Sequence, residues 1–171
     1  MTYRPQKENK KAELLTLIFA AAAVTLFVVS TQVSLYRFAY QLAGVVSAIV
    51  AVEIYLKYVF SEYTYEVTKD DIQVFRITGK KSMCICSLAL SESLCPLVRG
   101  EDYEKNQKAY PKTKLATNAC KNLSPTRLYY YFFDFNGKNA FLKFEPDAAF
   151  AAYTDERIRE AMQKKEDEDD E

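Results

Sequence analysis

The chain of 171 residues has no histidine and no tryptophan. Without histidine it lacks the commonest general base, every His-based nucleophile triad and every zinc site that needs imidazole. Most familiar hydrolase chemistries fall away with it. Asp, Glu, Lys, Tyr and Cys remain as possible actors, yet the composition argues for a protein that is not an enzyme and carries no cofactor. Charge is the second absence. Between Leu14 and Val52 the only formally charged residue is Arg37.

A helix needs about 20 apolar residues to cross a hydrocarbon core of about 30 Å. The uncharged block is long enough for two crossings, with a turn at Ser30 to Arg37, and predicts a membrane hairpin with spans at about residues 12–33 and 36–58. The mean hydropathy of −0.22 hides this, because it averages an apolar N-terminal third with a charge-rich remainder. A basic flank before an apolar run also fits a secretory signal peptide. The first run favours a signal anchor instead: it is longer than a typical signal core, no small-x-small cleavage site closes it cleanly, and a second apolar run follows at once.

Arg4, Lys7, Lys10 and Lys11 precede the first span, Arg37 alone sits in the connection, and Lys57 and Lys69 follow the second. The excess of basic residues outside the hairpin predicts cytoplasmic termini and a multi-pass protein of the cell membrane. Gly44 and Ala48 form a small-xxx-small pair suited to packing within the hairpin, with self-association through the same face as the alternative. Glu53 and Lys57 stand four apart with the acid first, the favourable order for a helical ion pair. An ion path lined by Glu53, in a small oligomeric transporter or channel subunit, is the functional alternative for that pair.

After Phe60 the pattern turns to short alternating strands, which predicts an antiparallel sheet. Tyr63 to Val67, Ile72 to Ile77 and Ser82 to Ser87 read as strands, with a further one over Leu88 to Val98 bent near Pro96. Arg99 to Lys114 reads as a long exposed loop. After a strand near Leu115 to Leu123 comes RLYYYFFDF, Asn136-Gly137, KNAFLKFEP, a hairpin on a two-residue type I′ turn. Its register sets Phe133, Tyr131 and Tyr129 opposite Ala140, Leu142 and Phe144 on a core face. Tyr130, Phe132 and Phe141 lie on the other, a face to be covered by another element or offered to a partner. A last helix from about Pro146 to Lys164 presents Phe150, Tyr153, Ile158 and Met162, and an acidic run, residues 166–171, reads as a solvated tail.

This layout gives a basic N-terminus over residues 1–11, a hairpin over 12–60 and a soluble α+β domain over 61–165. Together with YTYEVTKDDIQVFRITGKK at Tyr63 to Lys81, it resembles the bacterial PH-like-domain membrane proteins. The resemblance implies two N-terminal transmembrane helices followed by a cytoplasmic PH-like β-sandwich or barrel with a C-terminal helix. It also implies a binding or scaffolding role, and it brings no catalytic motif. The partners expected are the lipid bilayer and a second protein or a second copy of this chain. Nucleic acid is not expected, because the domain is not basic overall.

The cysteines offer one more alternative. Cys84 and Cys86, two apart on a strand, fall on one face, and Cys95 and Cys120 would complete a four-thiolate site in a thiol-based metal or redox sensor. The spacing is not that of a zinc ribbon, and the expected reading is four buried or free thiols with no metal.

Overall fold

The computed structural model describes residues 1–8 and 10–169. The chain forms two compact units. One comprises Met1–Gln6, Glu62–Lys121 and Pro125–Glu171, and the other Lys7–Ser61 with Asn122–Ser124.

The second unit is a helical hairpin. Helix α1 (Lys11–Gln32) and helix α2 (Arg37–Ile54) are joined by a short turn, and α2 runs on as a π-helix over Tyr55–Phe60. Both are long and apolar enough to cross a membrane. Small side chains form the shared face, with Ala12, Ala23 and Ser30 of α1 and Gly44, Ser47 and Ala51 of α2 all buried. The Ser47 hydroxyl donates to the Phe19 carbonyl at 3.2 Å. A Cβ on Gly44 would come within 3.1 Å of the Phe27 ring, so Gly44 packs against α1 inside the hairpin.

The first unit is an α+β sandwich. Strands β1 (Thr2–Tyr3), β2 (Ser61–Val67), β3 (Asp71–Thr78) and β4 (Lys81–Ala89) form one sheet in that order. Strands β5 (Val98–Arg99), β6 (Leu115–Asn118), β7 (Tyr129–Asp134) and β8 (Asn139–Phe144) form the other, in the order β5-β7-β8-β6. The second sheet is mixed, since β6 runs parallel to β8. Short helix α3 (Gly100–Lys105) follows β5, and helix α4 (Ala148–Asp169) closes the domain.

The core lies between the sheets. Tyr63, Tyr65, Val67, Ile72, Val74 and Leu88 of the first meet Tyr131, Phe133, Leu142 and Phe144 of the second, with Phe150 and Ile158 of α4 completing the cluster. Tyr65 meets Phe144 edge to face, ring centroids 5.4 Å apart, the arrangement the ring quadrupole favours. The Tyr65 hydroxyl, deep in this core, donates to the Ala119 carbonyl at 2.8 Å.

The β7–β8 register is the expected one, from Tyr129 opposite Phe144 to Phe133 opposite Ala140. Asn136 and Gly137 take φ of 53° and 76°, the left-handed pair that a type I′ turn requires. Three expectations are corrected. Leu88 to Val98 is not one strand: β4 ends at Ala89, a 3₁₀ turn follows over Leu90–Glu92, Ser93 makes a single bridge to Phe133, and a strand resumes at Val98. Arg99 to Lys114 is not a plain loop but contains α3 and a second 3₁₀ turn over Gln107–Ala109. The last helix continues through Asp169, so the acidic run is helical over 166–169, and residues 170 and 171 of the expected tail lie outside the described residues.

The two-residue strand β1 had no sequence signature. It pairs antiparallel with β2, Thr2 opposite Glu66 and Tyr3 opposite Tyr65, and the Val67 N–H donates to the Met1 carbonyl at 2.8 Å. The residues expected to form a basic tail thus begin as an edge strand of the sandwich.

Candidate functional site

The outer face of the β7–β8 hairpin is a second small core. Val98, Tyr130 and Phe132 are buried there, with Leu94, Tyr103, Tyr110, Leu128 and Phe141 packed against them. The Tyr103 ring lies 4.5 Å from Tyr130, and Tyr110 stacks on Phe132 at 5.9 Å with 6° between the planes. Burial, helped by the nearby Glu104 carboxylate, raises the Tyr130 hydroxyl above its usual titration range. The aromatic face of Tyr130, Phe132 and Phe141, which the sequence leaves to cover by another element or to a partner, is therefore covered from within the domain, with Phe141 half-buried. Its cover is the segment carrying α3, whereas α4 packs on the inter-sheet core.

The cysteines stand apart. Along β3 and β4, Val74 pairs with Cys86 but Phe75 pairs with Cys84, so the register slips by one residue and Ile85 has no partner. An extra residue in one strand reverses the alternation of faces. Cys86 accordingly packs against the core while Cys84 is exposed. The expectation that they share a face is corrected. Cys95 joins the small aromatic core, and Cys120 is buried with its thiol 3.8 Å from the Lys143 carbonyl. Burial pushes the Cys86 and Cys95 thiols up to about 11. Among the described residues no group of three or more His, Cys, Asp or Glu side chains converges to hold a metal.

Glu53 and Lys57 do not meet as an ion pair. The i→i+5 pattern begins at Tyr55, and its wider turn carries Lys57 off the line that stacks residues four apart on an α-helix. The Lys57 ammonium lies instead 5.2 Å from the centroid of the Tyr58 ring, a cation–π contact.

Two clefts open on the sandwich. The larger, about 700 Å³, lies between the β2–β3 turn and α4, with Lys69, Asp70, Glu92 and Arg157 on its walls. Its arginine is already held, since Arg157 donates to Glu160 at 2.6 Å and to the Tyr153 hydroxyl at 3.3 Å.

The second cleft, about 430 Å³, is lined by Arg99, Glu101, Glu104, Arg127 and Tyr129. Arg99 pairs across the ladder with Tyr129, and Arg127 stands two residues before that partner. The Gly100 N–H donates to the Leu128 carbonyl at 2.7 Å, which fixes the cleft floor. A Cβ on Gly100 would lie 2.9 Å from the Leu128 Cβ, so only glycine permits this approach. Glu101 and Glu104 are one turn apart on α3 and both line the cleft. Among the described residues none of the four charges takes part in an ion pair. In the sequence Arg99 and Arg127 are merely two basic residues far apart, and the fold brings both to the lining of one cleft.

No curated protein and no solved structure matches the chain. The family model described as bacterial PH-like domain (DUF6106) matches residues 5–165. That span takes in both long apolar helices, both sheets except β1, and most of α4, and the chain therefore belongs to the bacterial PH-like domain family.

Proposed function

We propose that the protein is a non-enzymatic binding or scaffolding module anchored in the cell membrane by its helical hairpin, with the PH-like domain and both termini in the cytoplasm. The observation that carries this reading is the pairing of β1 with β2. Met1–Gln6 belongs to the same folded unit as the chain from Glu62 onward. Helices that leave that unit and return to it cross a bilayer an even number of times, which suits a two-span hairpin. The basic residues before α1, against Arg37 alone in the connection, support a cytoplasmic domain. The absence of histidine from the chain supports a binding role.

Thiol labelling of intact and permeabilised cells tests the topology. A Ser34→Cys variant with its native cysteines replaced is expected to label from outside. A chain keeping only Cys84, which is exposed on β4, is expected to label only after permeabilisation. The reverse pattern would place the domain outside the cell. A partner-capture role further predicts that the domain expressed without residues 7–61 fails to restore function in cells lacking the protein.

A further inference from the structure

We infer that the cleft between β5, α3 and the start of β7 binds a phosphoethanolamine-type zwitterion, its phosphate on Arg99 and Arg127 and its ammonium on Glu101 and Glu104. Two arginines, one at the end of β5 and one just before β7, and two glutamates of α3 line this one cleft. Among the described residues none of the four takes part in an ion pair. A ligand carrying one anionic and one cationic end answers both signs at once.

Two guanidinium forks offer more donors than a carboxylate can accept, whereas a phosphate presents three charged or polar oxygens to them. The ammonium end finds acceptors alone on the α3 side, since carboxylates donate nothing. The cleft volume of about 430 Å³ holds such a headgroup with room to spare. The larger cleft beside α4 offers lysines in place of a second arginine, and its one guanidinium, Arg157, is already bonded to Glu160 and Tyr153. The same pairing of phosphate and ammonium occurs free in solution as a monoester and in a membrane lipid headgroup as a diester, which keeps one negative charge and two unesterified oxygens for the arginines. Binding of the soluble form does not require that the helices cross a membrane, so it stands or falls separately from the topology.

The test is a titration of O-phosphoethanolamine into the full-length protein in mild detergent, followed by phosphorus NMR. Saturable binding is expected, with inorganic phosphate alone and ethanolamine alone each about tenfold weaker, a loss of one charge-assisted contact set. Arg127→Ala and Glu104→Ala, both at exposed positions, are each expected to weaken binding about tenfold, while Lys69→Ala in the other cleft leaves it unchanged. Absence of saturable binding, equal binding of phosphate alone, or wild-type affinity in both cleft variants would overturn the assignment. Repeating the titration in phosphatidylglycerol nanodiscs with and without phosphatidylethanolamine distinguishes the sources. A weaker apparent affinity when that lipid is present supports the site with the headgroup as occupant, and unchanged affinity supports it with the free zwitterion.

Discussion

The Tyr3 ring stacks on Tyr65 with centroids 6.2 Å apart and lies 5.7 Å from Phe150. The opening residues of the chain are thereby wedged between a strand of the first sheet and the closing helix. Tyr3→Ala is expected to lower domain stability by about 2 kcal/mol, less than a fully buried aromatic truncation because Tyr3 is half-buried. Tyr3→Phe, which keeps the ring, should stay near wild type. Denaturant melts of both variants check this, and equal losses would mean that ring packing is not what holds β1.

The Tyr103 and Tyr110 cover is expected to matter similarly. Truncating Tyr103 to Ala removes the ring over Tyr130 and should cost about 2–3 kcal/mol, with increased binding of an apolar dye to the uncovered face. An unchanged melt and no dye binding would show that α3 rides loosely on the hairpin.

Two glycines test how far a neighbour can yield. At Gly100 an added Cβ meets the Leu128 Cβ at 2.9 Å, an atom fixed to the backbone, so Gly100→Ala should cost about 1–3 kcal/mol. At Gly44 the neighbour is the Phe27 ring at 3.1 Å, a side chain that can swing aside, so Gly44→Ala should cost less. Thermal melts of the two variants in the same detergent rank them, and the opposite order would contradict the packing described.

Much of this was legible from residues alone, where a local rule and a core face agree. The β7–β8 register follows from Asn136-Gly137 together with strict alternation on both arms, and the helical hairpin follows from a run with no charge but Arg37. What escaped was set by tertiary partners. Thr2 and Tyr3 are too few to show alternation, so β1 exists only because β2 has an edge to fill. The extra residue Ile85 leaves no mark on the pattern of β4, and reading through it put Cys84 on the wrong face. Arg99 to Lys114 looked exposed because charge dominates it, although Tyr103 and Tyr110 were the signal that it lies on an aromatic surface. That Arg99 and Arg127, out of all the basic residues of the domain, line one cleft follows from the fold and not from their places in the sequence.

Alkaline destabilisation should be partly traceable to two thiols. Burial raises Cys86 and Cys95 from the ordinary 9.0 to about 11, so folding favours the neutral form. Their contribution is fully present below pH 9, where both states are protonated, and is lost as pH rises through the window from about 9 to about 11. Denaturation midpoints measured across that range should fall less steeply in a Cys86→Ala, Cys95→Ala double variant. An identical slope would assign the alkaline loss to other groups.

The contact between Tyr3 and Phe150 also dictates an order of events during synthesis. Local pairings such as β3 with β4 form as soon as their residues emerge, but this one spans nearly the whole chain and carries the loop-closure cost of that separation. Both long helices leave the ribosome before Phe150 exists, so Tyr3 must wait for this ring even after β2, the strand it pairs with, has been made. The sandwich is sealed by its earliest residues at the latest moment, and a nascent chain stalled before α4 would hold a sheet with its first strand unclamped.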